Sequence, residues 1–292
     1  MSTATAIAQL TTEAQHREGE SYQADMKAIV ACEAACAYWR TRAARLHDGI
    51  KSAQTLFEGE LDRFSKAQTE LPNRFHDDWY NRYEGLRLLT QTLTQLPDQL
   101  AKVSMEQDQK PLDAPLTAQQ WTDLLQDAGE WPSAYKRREQ TLTARGNARY
   151  QQIFQSREQL EQLKQGVLDC VAEYVLPVLD GLDEGERLSR SLIEASRQES
   201  TTVANILIAW CNSYAILRTQ LLPILEQVGI RPIVVEPSAL IDYYRNEPCA
   251  VEFDPDAVAE SIKAEVRKGY DYKGEDGRVY VLRPTQVIVF QH

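Results

Sequence analysis

The chain has 292 residues of which 43% are hydrophobic, enough to bury the core of one to three domains and too many for a disordered tail. A formal charge of −11 and an isoelectric point near 5.0 oppose the field that a phosphate backbone needs, so nucleic-acid binding is not expected. The start, MSTATAIAQLTTEAQH, lacks the basic and apolar segments of a secretion signal, and no stretch approaches the roughly 20 apolar residues of a membrane span, which predicts a cytoplasmic protein without membrane attachment.

From Ser2 to about Leu71 the chain has no proline, little glycine and many Ala, Gln, Glu, Arg and Leu residues, the composition of long helices, and Pro72-Asn73 ends that segment. Within it, Cys32 and Cys36 lie one helical turn apart. That spacing suits packing, or half of a metal site that no second Cys or His pair completes. A second helix is predicted from about His76 to Val103, interrupted or kinked at Pro97, followed by a loop from Gln107 to Pro115. Thr117 with Gln120 has capping-box spacing for a short helix that Gly129 ends. The cluster Lys136, Arg137 and Arg138 reads as a solvated helix face.

From Pro132 a helix of unusual length is traceable toward Ser196. Ile153, Leu160, Val167 and Tyr174 recur every seven residues, with Leu163 and Cys170 between them. A second seam, Leu168, Val171, Val175, Val178 and Leu182, overlaps the first near Leu168. After a polar break at Arg197–Ser200, with Ser200 or Thr201 as cap, another helix carries Val203, Ile206, Trp210, Tyr214, Leu217, Leu221, Ile224 and Val228. Two antiparallel helices with one stripe each bury little alone. A homodimeric four-helix bundle is therefore expected, with Leu168, Val171, Val175, Val178, Leu182, Ile206, Trp210, Leu217, Leu221 and Ile224 as dimerisation residues. The alternative is that the aromatic-rich N-terminal helices, with Trp39, Trp79, Trp121 and Trp131, fold back and cover the stripes within one chain.

Beyond Gly229 the short runs IRPIVV, VYVL and QVIVF predict a small β domain. Ala257–Lys268 fits both helical and strand periodicity. The fold class is thus mainly α with a small C-terminal β domain, divided as 1–130, 131–228 and 229–292. An enzymatic site is not expected: only Glu13–His16 has the Glu-x-x-His spacing of a di-iron bundle, and no glycine-rich loop stands in a strand-turn-helix context.

Three pieces of the second half occur in a telling order. They are VLPVLDGLDEGERL (Val175–Leu188), LLPILEQVGI (Leu221–Ile230), and a closing set of Lys268-Gly269-Tyr270, Gly277-Arg278, Arg283-Pro284 and Val287-Ile288-Val289. Over about Val167 to His292 this order and spacing resemble the GrpE nucleotide-exchange factors. The family's phenylalanine-aspartate-proline segment has two candidates, Val235-Glu236-Pro237 and Phe253-Asp254-Pro255. The resemblance implies a homodimeric co-chaperone that needs no cofactor, opens the nucleotide cleft of a DnaK-type heat-shock ATPase and so promotes ADP release. It also implies ATPase contacts at Arg278, Val266 and Val289, with Arg283 and Pro237 beside them. The competing class is a coiled-coil scaffold whose GrpE-like end no longer exchanges nucleotide.

Overall fold

The computed structural model describes residues 3–103, 111–196 and 200–291. Among the described residues six α-helices precede six strands: α1 (Thr3–Ala67), α2 (His76–Val103), α3 (Ala118–Gln126), α4 (Trp131–Cys170), α5 (Leu176–Ser196), α6 (Thr201–Gln227), β1 (Ile230–Pro232), β2 (Asn246–Phe253), β3 (Ile262–Arg267), β4 (Tyr270–Lys273), β5 (Val279–Arg283) and β6 (Thr285–Gln291). Two compact units result, Met1–Tyr38 with Glu106–Lys164, and Trp39–Met105 with Gln165–His292. They do not follow the expected divisions at 130 and 228, because α1 and α4 each contribute to both. Part of the expected loop and of the break after Ser196 lies outside the described residues.

In the first unit α1 and α4 run parallel, as the order of their ion pairs requires: Arg138 meets Glu13, Arg145 meets Glu18 and Arg149 meets Asp25. Ile7, Leu10 and Ala14 close over Trp121 and Leu125 of α3 and Ala134 of α4. Helix α3 starts where its capping box predicts. Thr117 Oγ1 accepts from the Gln120 N–H, and the Gln120 side chain accepts from the Thr117 N–H at 2.8 Å. Past its end, Gly129 takes φ +74°, which a Cβ would oppose.

Beneath that core Glu18 is fully buried. It accepts from Arg145, Arg149, the Leu116 N–H at 3.0 Å and the Trp121 indole N–H at 3.1 Å, joining all three helices. Burial pushes its pKa up. The Arg145 guanidinium and the two N–H donors outweigh burial and hold the carboxyl below the usual carboxylate range. A depressed folded pKa gives stability that is present above the unfolded value of about 4.3 and lost as pH falls through the folded value. Glu18→Gln is therefore expected to flatten the acid side of the stability curve, measured as a smaller difference between the urea midpoints at neutral and acid pH. An unchanged difference places the acid sensitivity elsewhere.

The second unit is an up-down-up-down four-helix bundle closed within one chain. Helix α2 returns along α1, with the Trp79 indole N–H donating to Phe64 O at 2.9 Å and Gln54 Nε2 to Leu93 O at 2.8 Å. The second bond explains why α2 runs unbroken through Pro97: proline has no N–H for the carbonyl four residues back, and Gln54 supplies the missing donor. Along α5, α2 is antiparallel again, through Arg82 to Ser189 at 2.6 Å and Leu89 against Gly181. Helix α6 pairs with α5 through Tyr214 against Gly185 and Arg218 to Asp183 at 2.6 Å. The ring closes on α1, where Trp210 stacks on Phe64 at 5.1 Å, Ser213 donates to Glu60 at 2.6 Å and Ile224 packs on Gly49.

This closure corrects the premise that the two stripes lack cover within one chain. Leu168, Val171, Val175, Val178, Leu182, Trp210, Leu217 and Leu221 are at most 4% exposed, and Ile206 and Ile224 are partly buried, all within a single copy. Trp39 and Trp79 belong to that cover, whereas Trp121 lies in the other unit's core and Trp131 is exposed. The overlap of seams near Leu168 also has a cause. A π-helical turn, Val171–Val175, separates α4 from α5 and inserts one extra residue, which is the offset between the Val167 and Leu168 seams. Tyr174, on the first seam, is consequently only half-buried while Val175 is fully buried.

The strands form two three-stranded sheets, β1-β4-β5 and β2-β6-β3, with β2 parallel to β6 and the other pairs antiparallel. Ala257–Lys268 resolves as a turn followed by strand β3, with Glu260 at φ +60° before it. Ile262, Val287 and Val289 form the small core of the second sheet under Val235 and Ile241.

Candidate functional site

The β head sits on the end of the bundle through two sets of polar contacts. On the α5 side, both terminal guanidinium nitrogens of Arg283 donate to the Asp180 carboxylate, at 2.6 and 2.7 Å, and the same group donates to Lys268 O at 2.8 Å. Lys268 in turn binds Asp183 at 3.0 Å, which Arg218 of α6 also holds. Beneath the clamp Tyr270 is 1% exposed, with the Arg283 guanidinium 5.5 Å from its ring centre. Burial and the neighbouring Asp183 push its hydroxyl pKa far up, so Tyr270 remains neutral. On the α1 side, the Trp39 indole N–H donates to Glu275 at 2.9 Å, Arg42 donates to Lys273 O, and the Trp39 ring meets Tyr272 edge-on.

The sequence signature acquires a physical meaning here. Asp180 and Asp183 come from the DGLD run of α5, Lys268 and Tyr270 from the lysine-glycine-tyrosine, and Arg283 from the arginine-proline. Pieces 85 and 103 residues apart are thus partners in one head-to-bundle clamp. Gly269 belongs to it for a steric reason: a Cβ there would lie 2.4 Å from the Thr285 backbone nitrogen. Trp39, Arg42 and Glu275 on the other side carry no such signature: the sequence offered Trp39 only as cover for the stripes, and Arg42 and Glu275 were missed.

Bidentate charge-assisted bonds between half-buried groups are among the stronger polar contacts, and removing one partner leaves the other's desolvation uncompensated, about 1–3 kcal/mol. Asp180→Asn is therefore expected to lower the urea midpoint modestly and to raise amide exchange in β3–β6 while leaving α6 protected. Equal loosening of α6 and the strands would instead make the clamp part of the bundle's own stability.

The expected contact residues fall into two groups. Arg278 follows Gly277, at φ +79°, in the β4–β5 turn, and its side chain is 81% exposed; its backbone N–H donates to Asp276 at 2.9 Å, and its guanidinium is 3.7 Å from that carboxylate. Tyr280 also donates to Asp276, at 2.6 Å, and together these bonds draw the Asp276 pKa down. Val266 on β3 and Pro237 in the loop before β2 are exposed as well. Arg283 and Val289 differ. The Arg283 fork is engaged by Asp180, and Val289, 8% exposed, belongs to the head's core, so both support the head from inside rather than offer surface to a partner.

A groove of about 720 Å³ runs between α5 and β3, lined by acids such as Asp180, Glu184 and Glu265 and by bases such as Arg187, Arg218 and Arg267. Its mixed charge suits holding two elements in register rather than gathering one ion. Among the described residues no group of three His, Cys, Asp or Glu side chains is arranged to hold a metal ion. Cys32 and Cys36 are buried. What the site offers is a small β head fixed on a helical stalk with an exposed arginine on its outer turn. The family model for GrpE matches residues 98–291. No curated protein matches the chain.

Proposed function

The chain belongs to the GrpE family, and from that premise we propose that it is a co-chaperone serving as the nucleotide-exchange factor of a DnaK-type heat-shock ATPase. The supporting observation is the clamp. A wedge transmits force only if its base is fixed, and ion pairs to Asp180 and Asp183 on one side and contacts to Trp39 and Arg42 on the other fix this head at both edges. Binding energy gathered by Arg278, Val266 and Pro237 then favours the open form of the nucleotide cleft. Such a protein forms and breaks no bond; it acts through higher affinity for the open state. By reciprocity, ADP weakens the hold on the ATPase by the factor by which the ATPase loses ADP. The proposed setting is the cytoplasm. No helix among the described residues is long and apolar enough to cross a membrane.

Release of labelled ADP from the DnaK-type ATPase of the same cell tests this reading. Full-length protein is expected to accelerate release, and a fragment of residues 1–228 to keep the helical signal while losing the acceleration. No acceleration by the full chain favours the scaffold reading, and acceleration by the fragment moves the activity into the helices.

A further inference from the structure

We infer that the outer edge of β2 is a docking edge for an extended segment of another protein, which adds a strand beside residues 250–253 and carries apolar residues at alternate positions with Lys or Arg between them. β2 lies at one end of the sheet β2-β6-β3, and every residue of it after Asn246 is exposed. Among the described residues no backbone group outside the ladder with β6 pairs with residues 247–253. A sheet edge of this kind offers a row of unpaired N–H and C=O groups, and folded proteins ordinarily blunt it with proline, a bulge or charge. The first half of β2 is blunted in that way: Pro248 has no N–H to offer, and the register with β6 slips between Pro248 and Ala250. The second half is not. Ala250, Val251, Glu252 and Phe253 pair in unbroken register with Ile288, Val289, Phe290 and Gln291. At the opposite edge β3 slips twice and carries Lys263, Glu265 and Arg267.

The side chains of the open half define the guest. Val251 stands beside Val289, so Val251 and Phe253 extend the head's apolar core face past the sheet edge, where they are 57% and 71% exposed. A strand with apolar residues at every second position covers both. Acids crowd the same end. Glu252 points to the opposite face, Asp254 and Asp256 follow the strand, and the Glu260 N–H donates to Phe290 O at 2.8 Å, at the level where Glu252 pairs. Lys263, the base among them, is held by Glu252. The local field is therefore negative, and Lys or Arg between the guest's apolar residues complements it. Strand addition of this type draws its affinity from main-chain bonds and its selectivity from the alternate side chains.

The inference does not rest on the exchange reading, because Arg278 lies on a turn of the other sheet and Val266 on the opposite edge strand. Fluorescence anisotropy of the full chain with a short labelled peptide alternating valine with lysine or threonine tests it. Binding is expected with a Kd of about 10–100 µM, the range of a small and solvated contact. N-methylation of every second peptide residue is expected to abolish binding in one phase and to spare it in the other, since only alternate residues of an added strand face the edge. Equal effects in both phases, or no binding up to about 1 mM, overturn the inference. Val251→Lys with Phe253→Lys places charges at exposed positions and is expected to weaken the peptide about tenfold or more, with circular dichroism and ADP release unchanged. Undiminished peptide binding by that variant overturns the inference. So does displacement of the peptide by the ATPase domain together with slowed ADP release, which assigns the edge to the ATPase contact. Self-association of the wild type that the double variant abolishes makes a second copy the occupant and overturns it as well.

Discussion

Leu217→Glu is expected to unfold the bundle rather than to release intact monomers. Leu217 is fully buried on α6, near the level where Ser213 bonds Glu60 of α1 and Arg218 bonds Asp183 of α5. Truncating such a leucine to alanine costs about 2–5 kcal/mol through lost transfer free energy and the cavity left behind. A glutamate there forfeits the same burial and adds a carboxylate with no placed partner. It then either remains charged at a further cost of several kcal/mol or takes up a proton. The sum is comparable with the whole stability of a typical domain, about 5–15 kcal/mol. The expected result is loss of cooperative melting by circular dichroism, with a midpoint that does not recover as protein concentration rises. Had Leu217 faced a second copy, the variant would keep most of its helical signal and shift only in mass. Leu221→Glu is expected to behave in the same way.

That contrast shows how much of the fold a periodicity can disclose. The stripes of α5 and α6 were legible, and so was the need for something to cover them. What covers them was written in the same code: Trp39, Ala43, Leu46, Ile50, Ala53 and Phe57 of α1 follow 4-3-4-3-4 spacing, and Leu86, Thr90, Leu93, Leu96 and Leu100 of α2 make a similar stripe at 4-3-3-4. A stripe says that a helix has a partner and not which helix that is. Two unmatched stripes in one half of a chain and two in the other are equally compatible with a dimer and with self-closure. Short-range chemistry was read with more success, since Thr117 with Gln120 and Gly129 are local devices whose partners lie within three or four residues. Strand β3 was ambiguous because Ile262 and Val266 satisfy both periods, and pairing with β6 decides between them.

The candidate site divides along the same line. Each signature residue of the clamp was visible in sequence, but the bond from Arg283 to Asp180 spans 103 residues, and no local pattern states that arginine-proline belongs to the aspartates of α5. Val289 was expected at the surface, yet in β6 Thr285, Val287 and Val289 alternate inward. The turn arginine is the exception. Gly277-Arg278 between two strands predicts an exposed side chain, and the observed turn supplies one.

Arg278→Ala is accordingly the substitution with the largest expected effect on function at the least expected cost to the fold. The part of Arg278 that the turn uses is its backbone, whose N–H donates to Asp276 and whose carbonyl accepts from the Gly274 N–H at 2.8 Å, and alanine keeps both. The guanidinium, 81% exposed and only loosely paired with Asp276, is free to trade that weak contact for carboxylates or carbonyls of a partner. Loss of an interface arginine costs about 1–3 kcal/mol, on the order of ten- to hundredfold in affinity. The variant is expected to match the wild-type circular dichroism and urea midpoint while binding the ATPase domain that much more weakly and releasing ADP correspondingly slowly. Arg278→Lys recovers only part of the loss, because a point charge does not reproduce the planar fork. Raising the salt concentration weakens wild-type binding and narrows its advantage over the alanine variant if the contact lies at the rim of the interface. If Arg278→Ala binds and exchanges like the wild type, this turn is not the contact, and the faces around Val266 and Pro237 become the surface to mutate next. If it unfolds, the Asp276 pairing matters more to the turn than its exposure indicates, and Arg278→Lys separates the two roles by restoring stability while restoring affinity only in part.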